Sequence, residues 1–468
     1  MLNYIWLAFL LIAVLVGGFT GQLQPMTTGA FDTAKSAVME IALPLAGVMA
    51  IWLGMMRLAE QSGLVQIIAR ALRPLLRLLF PEVPPEHPAM GAMVMNMAAN
   101  MLGLGNAATP LGLRAMALLN QLNPRPGVAS NAMCTFLAIN TASIQLIPTT
   151  AIGILAIAGA KEPSSFILAA VLSTAIALTC GILVCKFLER LPIFAPPPTE
   201  KSEATEGTAE AAPSVAATSV ETIQAPPLTM WGQMALWLFL AAFAGMFVVI
   251  AYPEFANQWP MRTGAPWRFA ELFPDLASQV VDGKLVRHDM MRVIKTLSLL
   301  AVPFLLTFFP LYATLRRVKV YEQFTEGAKE AFGVAQRIIP FLVAMLVSIR
   351  MLRDAGVIKG ITDTIGPALG KIGFPADLLP MVLLRPLSGS ATQGIFVDIV
   401  KRFGPDELIS KMAATIYGST ETTFYVIAVY FGSVAVRKSR HAIIAGLTAD
   451  TVAVVASIAL CWLFFGKH

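Results

Sequence analysis

Four short polar stretches interrupt the apolar parts of this sequence and contain the residue types that could do chemistry. They read GLGNAATP at 103–110, INTASIQ at 139–145, RPLSGSATQG at 385–394 and GSTETT at 418–423. Their hydroxyl and carboxamide side chains offer directional hydrogen bonds, and their glycines and prolines predict broken helices. A broken helix exposes free N–H groups at one end and free carbonyl oxygens at the other. This chemistry suits an uncharged polar solute.

Candidate solute-binding residues occur in all four stretches. They are Asn106, Thr109, Asn140, Thr141, Ser143, Arg385, Ser390, Thr392, Gln393, Thr420, Glu421 and Thr422. The predicted helix breaks are at Gly103, Gly105, Pro110, Pro386, Gly389, Gly394 and Gly418. In lipid a backbone amide freed by a break needs another partner, so broken helices survive where they line a protein cavity. The alternative is that these small and hydroxyl residues serve close helix packing.

Glu421 and Arg385 are the charged members of this set. Charged groups deep in a membrane segment are costly, and they are usually functional or paired with each other. Glu421 precedes a long apolar run, so we expect it to lie deep in the membrane segment. There it either carries a coupling proton or forms a permanent ion pair with Arg385. Arg385 precedes Pro386, at the mouth of a predicted break, where it would bind an anionic group. Asp398 and Asp450 lie nearer segment ends and are weaker candidates.

Familiar catalytic and cofactor motifs are missing from the sequence. Gly103-x-Gly105-x-x-Ala108 resembles a dinucleotide-binding turn, but it lacks the preceding strand and the acidic residue about twenty positions later. No Walker loop, G-x-S-x-G elbow or H-E-x-x-H helix occurs. The four histidines are scattered, and the four cysteines lie in apolar stretches without CxxC spacing. We therefore expect no enzyme activity, no cofactor and no metal site.

The composition predicts an all-α, polytopic membrane protein in a lipid bilayer. Hydrophobic residues make up 56% of the 468 residues and charged residues 13%, and the mean hydropathy is +0.70. Soluble domains carry about 25% charged residues. Several segments with at most one charge approach the length that crosses about 30 Å of hydrocarbon. They are Tyr4–Phe19, Ile41–Met56, Phe166–Val184, Met230–Ala251, Leu297–Leu315 and Ile443–Phe465. The net charge of +6 fits scattered basic loops of a membrane protein, and no nucleic-acid partner is expected.

The chain divides into two similar halves. Residues 195–228 are rich in Pro, Ala, Thr and Glu and predict a disordered linker. FDTAKSAV at 31–38 echoes FTEGAKEAF at 324–332, and further landmarks follow in the same order in both halves. Such matching landmarks indicate an internal duplication. The predicted domains are a first repeat at 1–194, the linker at 195–228, an extra transmembrane helix and extramembrane loop at 229–291, and a second repeat at 292–468.

Each half is expected to begin with two spanning helices and an amphipathic stretch. In the first half, residues 63–79 place Gln66, Arg70 and Arg73 on one side, as in a helix that lies in the membrane interface. A cytoplasmic extension of the preceding helix is the alternative. Basic residues flank different boundaries in the two halves, so we expect the second repeat to be inverted relative to the first.

The quoted motifs resemble those of a known family. Residues 1–190, with AEQSGL, HPAMG, GLGNAATPLG and FLAINTASIQLIPTT, resemble spore maturation protein A. Residues 292–465, with LLRPLSGSATQG and GSTETTFYVIAVYFGSVAVRK, resemble spore maturation protein B. The chain therefore resembles a fusion of the two, within the nucleoside-recognition or Gate-domain group, which includes the membrane parts of concentrative nucleoside transporters.

This resemblance implies a multi-pass protein of a bacterial inner membrane, with two Gate-type repeats and broken or re-entrant helices. We expect a transporter or permease that binds a small polar solute near the bilayer midplane, between the broken helices of the two repeats. The alternative is a non-transporting scaffold or accessory factor in envelope, peptidoglycan or spore maturation. A homo-oligomer is left open, and the shared architecture does not fix the substrate.

Overall fold

The computed structural model of the chain describes most of both halves and the helix between them. It describes residues 2–103, 105–142, 145–194, 226–252, 279–281, 284–286, 289–371 and 373–466. Two candidate groups, the whole of Ser143 and the side chain of Asn106, lie outside the described residues. The predicted linker also lies outside them, except for residues 226–228.

The first half is helical throughout most of its described residues. Its α-helices are α1 (Leu2–Phe19), α2 (Leu23–Ser36), α3 (Leu43–Gln61), α4 (Leu64–Leu79), α5 (Pro88–Met101), α6 (Gly105–Gln121), α7 (Asn131–Ala142), α8 (Thr149–Ile157) and α9 (Ile167–Leu188). A π-helical segment, Ala37–Ala42, joins α2 to α3, so that Leu23–Gln61 form a 39-residue helix. The predicted span Ile41–Met56 is therefore too short, because the polar residues of α2 conceal its helical continuation.

The second half repeats the order of the first. Its helices are α11 (Asp289–Leu315), α12 (Val320–Asp354), α13 (Val357–Gly370), α14 (Leu379–Leu384), α15 (Gly389–Phe403), α16 (Leu408–Ser419), α17 (Thr423–Ser433) and α18 (Ala442–Phe465). In this order α12 corresponds to α2 and α3 together, α16 to α7, and α18 to α9. The predicted duplication is thus visible as two equivalent series of helices.

Two further elements lie between the halves. Helix α10 (Met230–Ala251) has the predicted bounds and packs against α11 through a cluster of phenylalanine rings that includes Phe243 and Phe304, whose centroids are 5.2 Å apart. Strands β1 (Gln279–Val281) and β2 (Lys284–Val286) form an antiparallel hairpin in the predicted extramembrane loop. The hairpin is a small departure from the all-α prediction.

The helices are those of a multi-pass membrane protein. Among the described residues, five helices are long and apolar enough to cross a membrane. They are Leu23–Gln61, Ile167–Leu188, Met230–Ala251, Val320–Asp354 and Ala442–Phe465. Many of their large apolar side chains are exposed, as expected for surfaces that face lipid rather than water.

A left-handed glycine marks the same joint in both halves. Gly63, between α3 and α4, has φ +78°, and Gly356, between α12 and α13, has φ +84°. Residues with a Cβ avoid this conformation, whereas glycine adopts it freely. Helix α4 therefore starts as a separate helix, and the alternative of a continuous extension of α3 is wrong. The interfacial position of α4 stays a prediction, and Arg70 and Arg73 on its polar side are exposed.

The two halves pack against each other through equivalent helices. Helix α3 lies along α12, and close approach occurs at Gly54 and Gly327. A Cβ at Gly327 would lie 2.6 Å from the carbonyl oxygen of Leu53, so the helix backbones approach as closely as small residues permit. Helices α9 and α18 also pack together, while α7 packs on α18 and α16 on α9. The core is therefore shared between the halves.

Matching polar contacts support the equivalence of the halves. The Thr135 hydroxyl lies 3.6 Å from the Cys185 thiol, and the Thr415 hydroxyl lies 3.2 Å from the Cys461 thiol. Both pairs join a short helix before a break, α7 or α16, to the closing helix of its own half. Because the contacts recur at equivalent positions, the duplication extends to side-chain packing.

Two of the predicted helix breaks are wrong, because Pro110 lies inside α6 and Gly394 lies inside α15. Gly418 lies one residue before the end of α16 at Ser419, next to a real break. Gly394 faces Met345 of α12, and a Cβ at Gly418 would lie 3.0 Å from the Cβ of Pro148. Both glycines therefore permit close helix contacts. Membrane helices tolerate an internal proline when neighbouring groups satisfy the freed backbone oxygen.

Candidate functional site

In the first half, the helix breaks after α5 and after α7 are bonded to each other. Gly103 follows α5 with φ +76°, and α6 begins at Gly105. The backbone N–H of Leu146, in the break between α7 and α8, donates to the carbonyl oxygen of Met101 at 2.9 Å. A Cβ at Gly103 would lie 3.0 Å from the carbonyl oxygen of Ile147. Glycine is therefore required for both the turn and the close approach.

The second half joins its two breaks in the same way. Pro386 lies in the turn between α14 and α15, and its carbonyl oxygen accepts from the N–H of Phe424 at 3.0 Å. The Ser388 hydroxyl accepts from the N–H of Ala391 at 3.2 Å and thereby caps the start of α15. A Cβ at Gly389, the first residue of α15, would lie 3.0 Å from Oγ1 of Thr422 in the break after α16.

Arg385 holds the end of α16. Its side chain is buried, its Nε donates to Oγ1 of Thr420 at 2.8 Å, and its Nη2 donates to the carbonyl oxygen of Tyr417 at 3.0 Å and to that of Thr420. The guanidinium also lies over the Tyr417 ring, 4.7 Å from its centroid. A cation stabilises the negative end of a helix dipole, so Arg385 caps the half-helix that precedes the break.

The first half has a neutral contact at the equivalent place. Nδ2 of Asn100, near the end of α5, donates to Oδ1 of Asn140 in α7 at 3.0 Å. Asn140 also donates to the carbonyl oxygen of Phe136 at 2.9 Å. Each half therefore joins the helix before its first break to the helix before its second break, with a carboxamide pair in one half and an arginine in the other.

The two halves meet where Gln145 contacts Glu421. Gln145 lies in the break between α7 and α8, and its Nε2 donates to Oε1 of Glu421 in the break between α16 and α17 at 3.1 Å. Next to this contact, Gly418 of the second half packs against Pro148 of the first. The stretches at 139–145, 418–423 and 385–394 are therefore connected through Gln145, Glu421, Thr420 and Arg385, and the stretch at 103–110 reaches the same break through the contact of Gly103 with Ile147.

Glu421 does not form an ion pair with Arg385 among the described residues. The Glu421 carboxylate bonds to Gln145, while the Arg385 guanidinium bonds to Tyr417 and Thr420 of its own half. Of the two roles left open for Glu421, the permanent ion pair is therefore wrong among the described residues, where Nε and Nη2 of Arg385 donate to hydroxyl and backbone oxygens instead. The coupling role of Glu421 and the anion-binding role of Arg385 stay predictions.

A buried carboxamide and phenol cluster lies beside the first-half breaks. Nδ2 of Asn96 in α5 donates to the carbonyl oxygen of Ala108 at 2.8 Å and lies 3.4 Å from the Tyr430 hydroxyl in α17. The Tyr430 hydroxyl in turn donates to Oδ1 of Asn140 at 3.4 Å. A Cβ at Gly112 of α6 would lie 2.2 Å from this hydroxyl, so the absence of a side chain there makes room for the cluster.

The other candidate residues have different surroundings. The Thr141 hydroxyl donates to the carbonyl oxygen of Leu137, and the Thr392 hydroxyl donates to that of Ser388, each within or beside its own helix. Both threonines are buried, which favours the packing interpretation for them. Gln393 is buried, and its Nε2 has no hydrogen-bond partner among the described residues. Thr422 is buried, whereas Thr109, Ser390 and Glu421 are half-buried and partly accessible.

Sequence reasoning missed several polar residues at this site. They are Asn96, Asn100, Gln145, Thr423 and Tyr430, together with Asp450, which was ranked as a weaker candidate. Gln145 and Thr423 ended two of the quoted stretches, so their positions gave a signal. Asn96, Asn100 and Tyr430 lie in runs that read as ordinary helix, and only the folded arrangement brings them to the breaks.

Asp398 lies outside the site. It pairs with Arg353 across α12 and α15, and Arg402 of α15 pairs with Asp377 at 2.9 Å. Asp377, Asp398 and Arg402 border an apolar cavity of about 340 Å³ between α1, α12, α13, α14 and α15. Because Asp398 already has a cationic partner, its geometry is that of a structural ion pair.

Comparisons with known proteins identify the family. The sequence model described as "Gate: Nucleoside recognition" matches residues 42–161 and 335–437. Spore maturation protein B of Bacillus subtilis (strain 168) is 44% identical over 177 residues, which are 38% of this chain and 99% of that protein. Spore maturation protein A of the same organism is 42% identical over 187 residues, which are 40% of this chain and 95% of that protein. The chain belongs to the family of the spore maturation proteins A and B.

Two matches of about 40% of the chain each fit a fusion of the A type and the B type, as the sequence motifs predicted. The two segments matched by the Gate model contain all four helix breaks of this spore maturation family member. One solved structure is similar over 98% of this chain and 98% of its own chain. It is the crystal structure of the Alcanivorax borkumensis YdaH transporter, which is described as having an unusual topology. Its TM-score is 0.42 and its sequence identity is 16%.

Proposed function

We propose that the protein is a membrane transporter for a small polar solute, which binds between the helix breaks of the two halves. The observation that supports this proposal is the contact between Gln145 and Glu421, 3.1 Å apart, which joins a break of one half to a break of the other. Paired interruptions at corresponding places in two repeats are a common feature of transporter binding sites. The Gate family's description as nucleoside recognition also favours a small solute.

The chemistry of the site suits a solute with both donors and acceptors. Helices α6, α8, α15 and α17 start at the breaks, so their N–H groups and positive dipole ends point toward them. The carboxylate of Glu421 accepts hydrogen bonds, and the carboxamide of Gln145 both donates and accepts. When a solute displaces the bond between these side chains, it must replace that bond with its own donors and acceptors.

The membrane setting completes the proposal. The protein lies in the inner membrane of a bacterium, its two repeats have opposite orientations, and the solute crosses between them. The domains are the two repeats, with the linker at 195–228 and the unit 229–291 between them. Alternating access then arises when one half rocks against the other about the contacts between α3 and α12.

Purified protein in proteoliposomes tests the proposal. We expect uptake of at least one solute from a panel of nucleosides, sugars and amino acids, and loss of that uptake in Glu421→Gln and Gln145→Ala. The matched control is Glu407→Gln, which changes an exposed carboxylate at the start of α16 and should leave uptake unchanged. Absence of flux for every solute, with and without a pH gradient, would refute the proposal.

The names of the relatives favour a second candidate function. Both are spore maturation proteins, so an accessory role in the maturation of a spore or cell envelope is the alternative. In that case the polar breaks serve helix packing and partner docking. Asn106→Ala and Glu421→Gln would then lower the stability of the protein, with no loss of activity separable from unfolding.

A further inference from the structure

Asp450 is a buried carboxyl group within the closing helix of the second half. Its residue is 5% exposed, and its Oδ2 accepts a hydrogen bond from the hydroxyl of Thr423, the first residue of α17. Its other oxygen, Oδ1, has no hydrogen-bond partner, and no ion pair reaches it among the described residues. Asp450 also lies outside the segments matched by the family model, so the family's description does not cover it.

Asp450 lies beside the second break of each half. Gly446, one helical turn before Asp450, makes room for two threonines: a Cβ there would lie 3.0 Å from Cγ2 of Thr423 and 3.3 Å from Cγ2 of Thr141. Thr423 is the first residue of α17, and Thr141 lies in the last turn of α7. Asp450 is therefore in direct contact with the first residue of the half-helix that follows Glu421.

The charged groups around Asp450 do not neutralise it. Helix α18 packs against α7, α9, α16 and α17. Arg385 and Glu421 are within electrostatic reach of Asp450, with opposite signs, and Arg385 already bonds to three oxygens of its own half. The titratable side chains on the packed helices are Cys134 on α7, Cys180, Cys185 and Lys186 on α9, Lys411 and Tyr417 on α16, and Tyr425 and Tyr430 on α17.

We propose that Asp450 binds a proton and couples solute movement through the breaks to the proton gradient. This inference rests on the proposed transport function. An isolated carboxylate in a membrane interior is costly, and such residues commonly form proton relays. Oδ1 has no donor among the residues that the structure describes, and it is the oxygen on which the proton binds. No covalent bond of the solute changes: one proton is taken up from one side and released to the other in each cycle.

The hydrogen bond to Thr423 connects the proton to the break. An ionised Asp450 accepts from Thr423 and faces the start of α17, where the helix dipole favours a negative charge. Protonation removes that charge and weakens the attraction to the start of α17. The break that carries Glu421 and Thr422 is then released, so the solute site responds to the proton on Asp450.

Solute uptake driven by a pH gradient tests the coupling. We expect the wild-type protein to accumulate solute under such a gradient, whereas Asp450→Asn equilibrates solute without accumulating it. Asp450→Glu keeps the carboxyl and should retain accumulation, with a shifted pH dependence. The control is Asp398→Asn, which removes a second-half carboxylate that is already ion-paired and lies outside the site, and it should leave accumulation intact. Accumulation by Asp450→Asn equal to that of the wild type would overturn the inference and leave the transport proposal standing.

A second measurement does not depend on the solute. Infrared difference spectra over a pH titration should show the carbonyl band of a protonated carboxylic acid that is present in the wild type and absent in Asp450→Asn. Thr423→Val removes the donor and should shift the titration of this band. Absence of the band from the wild type overturns the inference, as does accumulation driven by a sodium gradient alone. If the wild type moves no solute, the transport proposal fails, and this band alone decides whether Asp450 binds a proton.

Discussion

The hydrogen bond between Gln145 and Glu421 joins the halves at their breaks, and we predict that it stabilises the folded protein by about 1–2 kcal/mol. A hydrogen bond to a charged group contributes about 1.5–3 kcal/mol when it is buried. Glu421 and Gln145 are both half-buried, with an N···O distance of 3.1 Å, so water competes for part of this contribution. We therefore expect this hydrogen bond to contribute about 1–2 kcal/mol, which is less than a fully buried bond to a charged group contributes.

A double-mutant cycle in mixed detergent micelles measures this contribution. The free energy of unfolding is determined for the wild type, Gln145→Ala, Glu421→Ala and the double variant. We expect a coupling energy of about 1–2 kcal/mol, because each single change removes the same bond. The control cycle pairs Gln145→Ala with Glu407→Ala, an exposed carboxylate, and should be additive to within about 0.5 kcal/mol.

A charge reversal of the same contact sharpens the test. Gln145→Glu places a second carboxylate at the position of the donor, so it should destabilise the protein more than Gln145→Ala does. Combining Gln145→Glu with Glu421→Gln restores one donor and one acceptor and should recover most of the loss. Additivity of Gln145→Ala and Glu421→Ala, together with no recovery in the swapped pair, would show that the bond between Gln145 and Glu421 does not stabilise the folded protein.

Two further predictions concern helix packing and pH. Gly327→Ala places a Cβ 2.6 Å from the carbonyl oxygen of Leu53 and should lower the free energy of unfolding by about 1–3 kcal/mol. Gly333→Ala, where a Cβ meets nothing within 4 Å, should not, and equal effects of the two would contradict the close contact. Burial lowers the pKa of His441, just before α18, to about 4, with smaller contributions from Arg440 and Lys186. Between pH 6.5 and pH 4 the unfolded chain therefore binds a proton on His441 that the folded chain does not bind. The melting temperature should fall as the pH is lowered through this range, and this fall should be smaller in His441→Phe.

The sequence was sufficient to predict the helical membrane fold, which depends on long apolar segments, and the duplication, which depends on landmarks that recur in the same order in both halves. It also identified Gly103 and Pro386 at real breaks, since a left-handed turn and a missing N–H are properties of those residues themselves. It was wrong about Gly394, which lies inside α15. A glycine that ends a helix and a glycine that admits a neighbouring helix look the same until the neighbour is known.

The partners of the polar side chains could not be predicted from the sequence. Gln145 and Glu421 are far apart in the chain, and their contact depends on how the two halves pack. An ion pair of Arg385 with Glu421 is one of the two alternatives that the sequence leaves open, because opposite charges attract. Instead Arg385 bonds to the nearer carbonyl oxygens at the end of α16, where a cation also stabilises the helix dipole. Local backbone chemistry thus outweighed the attraction between the two charged side chains.

The duplicated halves have equivalent shapes but different charges. Arg385 contacts Thr420 where the first half has a carboxamide pair, Asn100 and Asn140. Thr174 lies eleven positions before Cys185, as Asp450 lies eleven positions before Cys461, so a neutral threonine in the first half corresponds to the acidic residue in the second.

This difference in charge indicates that the first half selects the solute and the second half couples its movement to protons. The described first-half breaks offer neutral hydrogen-bonding groups, whereas the second half brings Arg385, Glu421 and Asp450 close to its break. Solute selection that depends on Asn140 and its neighbours can then change without altering the charged groups. Exchange of Thr174 and Asp450 between the halves, as Thr174→Asp with Asp450→Thr, should therefore abolish proton-driven accumulation, because Glu421 and the start of α17 remain in the second half. Retention of accumulation in this exchanged variant would show that the two halves are functionally interchangeable.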